Sequence, residues 1–190
     1  MGFNLIEAAI VLAVVGGVIG AIWVAAANVR NAWAANKIVE DVLVTVKNIQ
    51  NALSDNDIMN LTNGADLGPY LTNMSLVPPN WRRAGGGRPK NPYSDANTGG
   101  YSMMNLETYN SSNNPRFVLV VPAGNKFCVP VARALVKNGA FANVQVLDYG
   151  NSVWKTIYTS STIDFIASKC ENSGIWGVIR LTFSPVRINN

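Results

Sequence analysis

The sequence predicts an α+β chain in which one long N-terminal helix, apolar in its first half and amphipathic in its second, packs on an antiparallel sheet in a C-terminal globular head. Three observations predict it. Residues 3–53 carry an unbroken helical pattern, free of proline throughout and of glycine beyond Gly20. Residues 54–115 then shift to Asn, Gly, Pro, Ser and Thr. Beyond Pro115, short runs of Val, Ile, Leu and Phe alternate with brief helical patterns, the signature of strands gathered into one sheet.

The first element opens with MGFNLIEAAIVLAVVGGVIGAIWVAAA. As a helix, Leu5–Ala27 is about 34 Å long at about 1.5 Å per residue, enough to cross a hydrocarbon core of about 30 Å. Its single charge is Glu7. A charge at the centre of a span costs roughly 2.5–3.5 kcal/mol, and less near an end, so a carboxylate there normally signals a partner cation. A secretory signal would pair a basic start with a short apolar core and a small-residue cleavage site. This segment is long, acidic at its start and continuous with more helix, so it reads as a retained anchor. Val29, Ala32, Trp33, Val39, Val42, Leu43, Val46, Ile49 and Leu53 continue the pattern mostly at spacings of three and four. Segment 28–54 is therefore the amphipathic half, with Asn28, Arg30, Asn31, Lys37, Glu40, Asp41 and Lys47 on its other faces, partly exposed and partly at contacts with neighbours.

The region from Ser54 to Pro115 predicts a long loop with at most short elements, pinned by Tyr70, Leu71, Met74, Leu76, Trp81 and Tyr93 or serving as a contact surface. Met103–Thr108 reads as a short strand or turn. Its Gly85–Gly87 run lacks the GK[ST] of a phosphate loop. Arg116–Val121 then reads as a buried strand, and Cys128–Lys137 as a short helix closed by Asn138-Gly139. Val144–Asp148, Val153–Thr159 and Ile175–Phe183 read as strands, the first two joined by a turn at Tyr149–Ser152. Thr162–Cys170 reads as one or two helical turns. The head thus spans 55–190.

Composition narrows the chemistry. With 48% hydrophobic and 14% charged residues in 190, the chain holds one globular head beside its apolar element. The net charge of +4 is mild. Arg82, Arg83, Arg88 and Lys90 cluster in a Gly/Pro-rich stretch without interleaved stacking aromatics, which reads as a solvated loop and predicts no specific nucleic acid partner. The chain has no histidine, so the commonest general base and metal ligand are missing. Asp148, Asp164 and Glu171 read as solvated surface acids, and no GxSxG or metal-spaced cluster accompanies them. No catalytic residue, metal site or cofactor is predicted. Cys128 and Cys170 belong to no CxxC pair. In an exported domain they form one disulfide, worth about 4 kcal/mol for a loop of that size; in a cytosolic one they stay buried thiols. The apolar segment favours the first reading.

Gly2-Phe3-Asn4-Leu5-Ile6-Glu7 resembles the class III signal of type IV pilins and pseudopilins. The resemblance implies the pilin fold, cleavage after Gly2 by a prepilin peptidase, N-methylation of Phe3, and a Glu7 that pairs with the N-terminal amine of a neighbouring subunit. Met1-Gly2 would be the residual leader, shorter than the basic leaders of the family. Gly16 and Gly20 form a GxxxG pair suited to close helix contact. The layout of the head is similar to that of type IVb major pilins. The implied function is a non-enzymatic filament subunit, self-polymerising through segment 3–27 after residence in the bacterial inner membrane and ending in an extracellular pilus. Its partners would be other copies, the assembly machinery and host or surface receptors. A pseudopilin or minor pilin of a secretion or DNA-uptake machine shares the N-terminal argument, and a tip adhesin is the reading if Trp81, Tyr93 and Tyr101 are exposed.

Overall fold

A computed structural model of the chain describes residues 4–53, 62, 64–81, 87–93, 104–111, 114–148, 153–172 and 177–184. Helix α1 runs Leu5–Ala52. The chain divides into two compact units, Met1–Ala34 and Ala35–Asn190, so the boundary falls within the segment read as the amphipathic half.

In the second unit, α1 buries Ala35, Ile38, Val42, Val46 and Ile49 in steps of three and four. Val39 and Leu43, at the margin of that row, are half-buried. Val29 and Trp33 are exposed, contrary to the stripe read from sequence. At about 100° per residue they lie across the helix from Val42. Asn48 Nδ2 donates to the Leu76 carbonyl at 3.0 Å and Gln50 Nε2 to the Ser184 carbonyl at 2.9 Å, fastening the last turns of α1 to the loop region and to the end of the sheet.

The sheet has five strands in the order β1-β2-β5-β3-β4, with β1 Asn105–Ser111, β2 Asn114–Pro122, β3 Asn143–Asp148, β4 Val153–Ile157 and β5 Val178–Phe183. Every neighbouring pair is antiparallel. Alternate residues turn inward: Leu106, Phe117, Leu119, Val121, Val144, Val146, Ile179 and Leu181 are all buried. Phe183 closes the core, 5.6 Å from the Phe117 ring and edge-on to Phe141 at 6.4 Å. The shared α+β architecture of long helix and antiparallel head is therefore present.

Two elements exceed what the sequence suggested. The stretch read as a short strand or turn at Met103–Thr108 is the full strand β1, and Asn110 and Ser111 pair with Pro115 and Asn114 inside what looked like loop. Pairing along β2 overrides the low strand propensity of Asn, Ser and Pro. Helix α4, Ile163–Asn172, runs to nearly three turns, because Ile166 and Cys170 are buried one turn apart. Within the loop region a short helix α2, Gly68–Asn73, and a 3₁₀ turn, Pro79–Trp81, carry Leu71, Leu76 and Trp81 into the core. Tyr70 and Met74 instead stay 54% and 47% exposed, so they do not pin it.

Helix α3, Asn125–Asn138, buries Phe127, Cys128, Val131, Ala132 and Leu135 and ends on Gly139 in the left-handed region, the cap read from Asn138-Gly139. Its start sits against the entry to β5. A Cβ on Gly177, at φ +45°, would stand 2.3 Å from the Gly124 carbonyl carbon, an approach only glycine permits. The turn expected at Tyr149–Ser152 lies outside the described residues.

Candidate functional site

In the N-terminal unit, the backbone N–H groups of Glu7 and Ala8 donate to the Asn4 carbonyl at 2.9 and 3.2 Å, which starts α1. Glu7 thus occupies the first turn, where the helix dipole favours an anion. Its side chain is exposed, and among the described residues no cation lies within ion-pair distance of it. The surface around it is bare hydrocarbon: Leu5 is 85% exposed, Ile6 65% and Ile10 59%. A Cβ added at Gly16, Gly17 or Gly20 would meet nothing within 4 Å. Gly16 and Gly20 share one face, one turn apart, and among the described residues nothing fills the room they leave. The helix is long and apolar enough to cross a membrane, with a mean hydropathy of 2.5 in its most apolar window. Gly2 and Phe3 lie outside the described residues.

The head contains a second carboxylate that the sequence reading passed over as one of several polar-face residues. Asp41 is buried, only 3% exposed. Its Oδ2 accepts from Trp81 Nε1 at 2.8 Å and from Asn80 Nδ2 at 3.1 Å, while Lys37 Nζ stands 3.9 Å from Oδ1. The Asp41 carbonyl accepts from the buried Thr45 hydroxyl at 2.7 Å. Asn80 also donates to the Tyr93 hydroxyl at 3.2 Å. Burial first, and then the Asp41 charge, push the Tyr93 phenol above its ordinary pKa. This cluster anchors the loop region to α1. The signal was present in the sequence: Asp41 falls within the row Ile38, Val42, Thr45 and Val46, so an acid interrupts an apolar face just as Glu7 does.

No family model, curated protein or solved structure matches the chain.

The remaining residues singled out from sequence fall as follows. Cys128 on α3 and Cys170 on α4 are joined as a disulfide, with Cα atoms 5.8 Å apart. The bond links helix to helix. Asp164 and Glu171 are exposed, as expected of solvated acids. Asp148 is not: it is 2% exposed, with Lys169 Nζ 3.7 Å from its Oδ2, because strand alternation turns the end of β3 inward under α4. Trp81, one of the aromatics an adhesive surface would need, is fully buried against Asp41. Tyr93 is half-buried in the same cluster, and Tyr101 lies outside the described residues. Arg88 pairs with Asp66 instead of standing in a free basic patch. Lys90 gives its backbone N–H to the Trp81 carbonyl at 2.9 Å, while Arg82 and Arg83 are outside the described residues.

Proposed function

We propose that this chain is the structural subunit of a filament of the type IV pilus kind, anchored in the bacterial inner membrane by segment 3–27 and then polymerised through that same segment. The observation that carries the reading is Glu7, a carboxylate without a cation among the described residues, on a helix whose apolar surface is uncovered. A carboxylate and an ammonium are each costly in hydrocarbon and become tolerable when docking brings them together. The N-terminal amine of a neighbouring copy, freed by cleavage after Gly2 and carried by a methylated Phe3, supplies that ammonium.

Other features fit the same mechanism. Gly16 and Gly20 leave a flat strip on which a second helix can approach closely. The head is closed by its own disulfide and its own core, as an exported domain requires. Assembly then transfers an exposed apolar helix from lipid into a bundle of like helices, with Glu7 setting the register.

Replacing Glu7 by Val tests this directly. The variant should remain a stable membrane protein with an intact head and be absent from filaments sheared off the cell surface. Normal filaments from Glu7→Val would remove the register role, and mass spectrometry of the mature chain should find methylated Phe3 at its start.

A further inference from the structure

The two disulfide-linked helices of the head carry opposite charge stripes. On α3, Lys126, Arg133 and Lys137 are exposed at successive spacings of seven and four, which places them on one face, opposite Cys128 and Leu135. The sequence of α3, NKFCVPVARALVKN, contains no acid to balance them. On α4, Asp164 and Glu171 are exposed at a spacing of seven, on the face away from the buried Ile166. Lys169, the one cation of α4, is turned away from that face to Asp148 at 3.7 Å and lies 5.6 Å from the centre of the Phe165 ring.

Two of these charges oppose their own helix. Lys126 sits in the first turn of α3, at the positive end of the dipole. Glu171 sits in the last turn of α4, at the negative end. Each would be better placed at the other end for stability, and among the described residues none of the five has an ion-pair partner. Lys126 Nζ lies 5.7 Å from the centre of the Phe127 ring, but among the described residues no carboxylate neutralises it, and charges that a helix holds against its own dipole without a counter-ion point to a counter-charge outside it.

We infer that the α3 face of one head docks on the α4 face of the next, so that the partner is a second copy of this chain. Lys126 and Arg133 are seven residues apart, as are Asp164 and Glu171, about 10.5 Å in each helix. The pairs can therefore meet two by two. Apolar surface lies beside the acidic stripe, where Tyr158 is 64%, Ile163 49% and Phe165 40% exposed. Exposed ion pairs add little affinity, so the stripes select partner and register while the apolar rim is what the contact buries. The two faces differ, so a contact of one on the other can be repeated from copy to copy. Such a heterologous contact repeats without closing on itself unless its rotation makes a ring.

The inference rests on the filament reading for its setting, and the test separates the two. Lys126→Glu with Arg133→Glu reverses the α3 stripe; Asp164→Lys with Glu171→Lys reverses that of α4. Each pair alone should lower sheared filament yield by about tenfold or more, and the fourfold variant should restore it, because repulsion has again become attraction. Formation of the Cys128–Cys170 disulfide, read on non-reducing gels, checks that each variant folds. Carbodiimide coupling of the full-length protein in its membrane reads the contact whether or not filaments form. Wild-type chains should yield covalent dimers joining a lysine of α3 to a carboxylate of α4, reduced in either half-reversed variant and recovered in the fourfold one. Absence of such dimers, or a folded fourfold variant that recovers neither dimers nor filaments, overturns the inference. Dimers without filaments would support the contact and sink the filament reading.

Discussion

Two carboxylates on one helix meet opposite fates. Asp41 is buried and receives an indole N–H, an amide N–H and the field of a nearby ammonium, all from its own chain. Glu7, more than eight turns earlier, is exposed on a surface of leucine, isoleucine and valine and receives nothing among the described residues. The same chemical group is thus satisfied within the head and left open in the N-terminal unit. The Asp41 carboxylate finds its donors within the head, whereas the N-terminal half of α1 leaves Glu7 and its apolar side chains exposed.

Removing the disulfide should have the largest effect and should fall on one side of this contrast only. Replacing Cys128 and Cys170 together by Ala should cost the head about 4 kcal/mol, by the loop the bond closes. In detergent, the urea midpoint followed by near-ultraviolet dichroism should drop accordingly, while helical dichroism from the N-terminal unit persists. Loss of both signals together would mean that the two units are not independent.

The two carboxylates can be compared directly. Asp41→Leu strands the buried Trp81 indole N–H and should destabilise the head by about 3 kcal/mol. Glu7→Leu should leave the same urea midpoint unchanged, since Glu7 belongs to the N-terminal unit. Equal midpoints for the two variants would break the contrast on which the functional reading leans.

What the sequence made legible follows the range of the forces involved. The α1 span, the α3 cap at Gly139 and the alternation in β3 and β5 are written in neighbours a few residues apart, and each was readable. The disulfide was readable as one of two outcomes, since only two cysteines were present. The Asp41 cluster depended on Trp81 arriving from 40 positions away, and strand β1 depended on pairing with β2 despite its two asparagines. Burial of Asp148 likewise depended on where α4 settles. At the N-terminal unit the sequence singled out Glu7, Gly16 and Gly20, and among the described residues none of them meets a partner.

A smaller test lies on the surface of the loop region, where a third carboxylate falls between these extremes. Burial pushes the Asp66 carboxyl up, but the backbone N–H of Gly68 at 2.9 Å and the Arg88 guanidinium outweigh it, so its pKa lies below the ordinary 3.8. A carboxylate whose folded pKa is depressed contributes stability above its unfolded value and loses it as pH falls through the folded one. Arg88 keeps its charge throughout that window, so the loss is set by protonation of Asp66 alone. Asp66→Asn should therefore lower the urea midpoint slightly at neutral pH and flatten its decline below about pH 4. Because the pair is 42% and 43% exposed, the change should be much smaller than that of Asp41→Leu and should shrink further in high salt. An Asp66→Asn effect as large as that of Asp41→Leu would mean that partial exposure to water does not weaken a carboxylate's contribution here, and that the difference between Asp41 and Glu7 has some source other than burial.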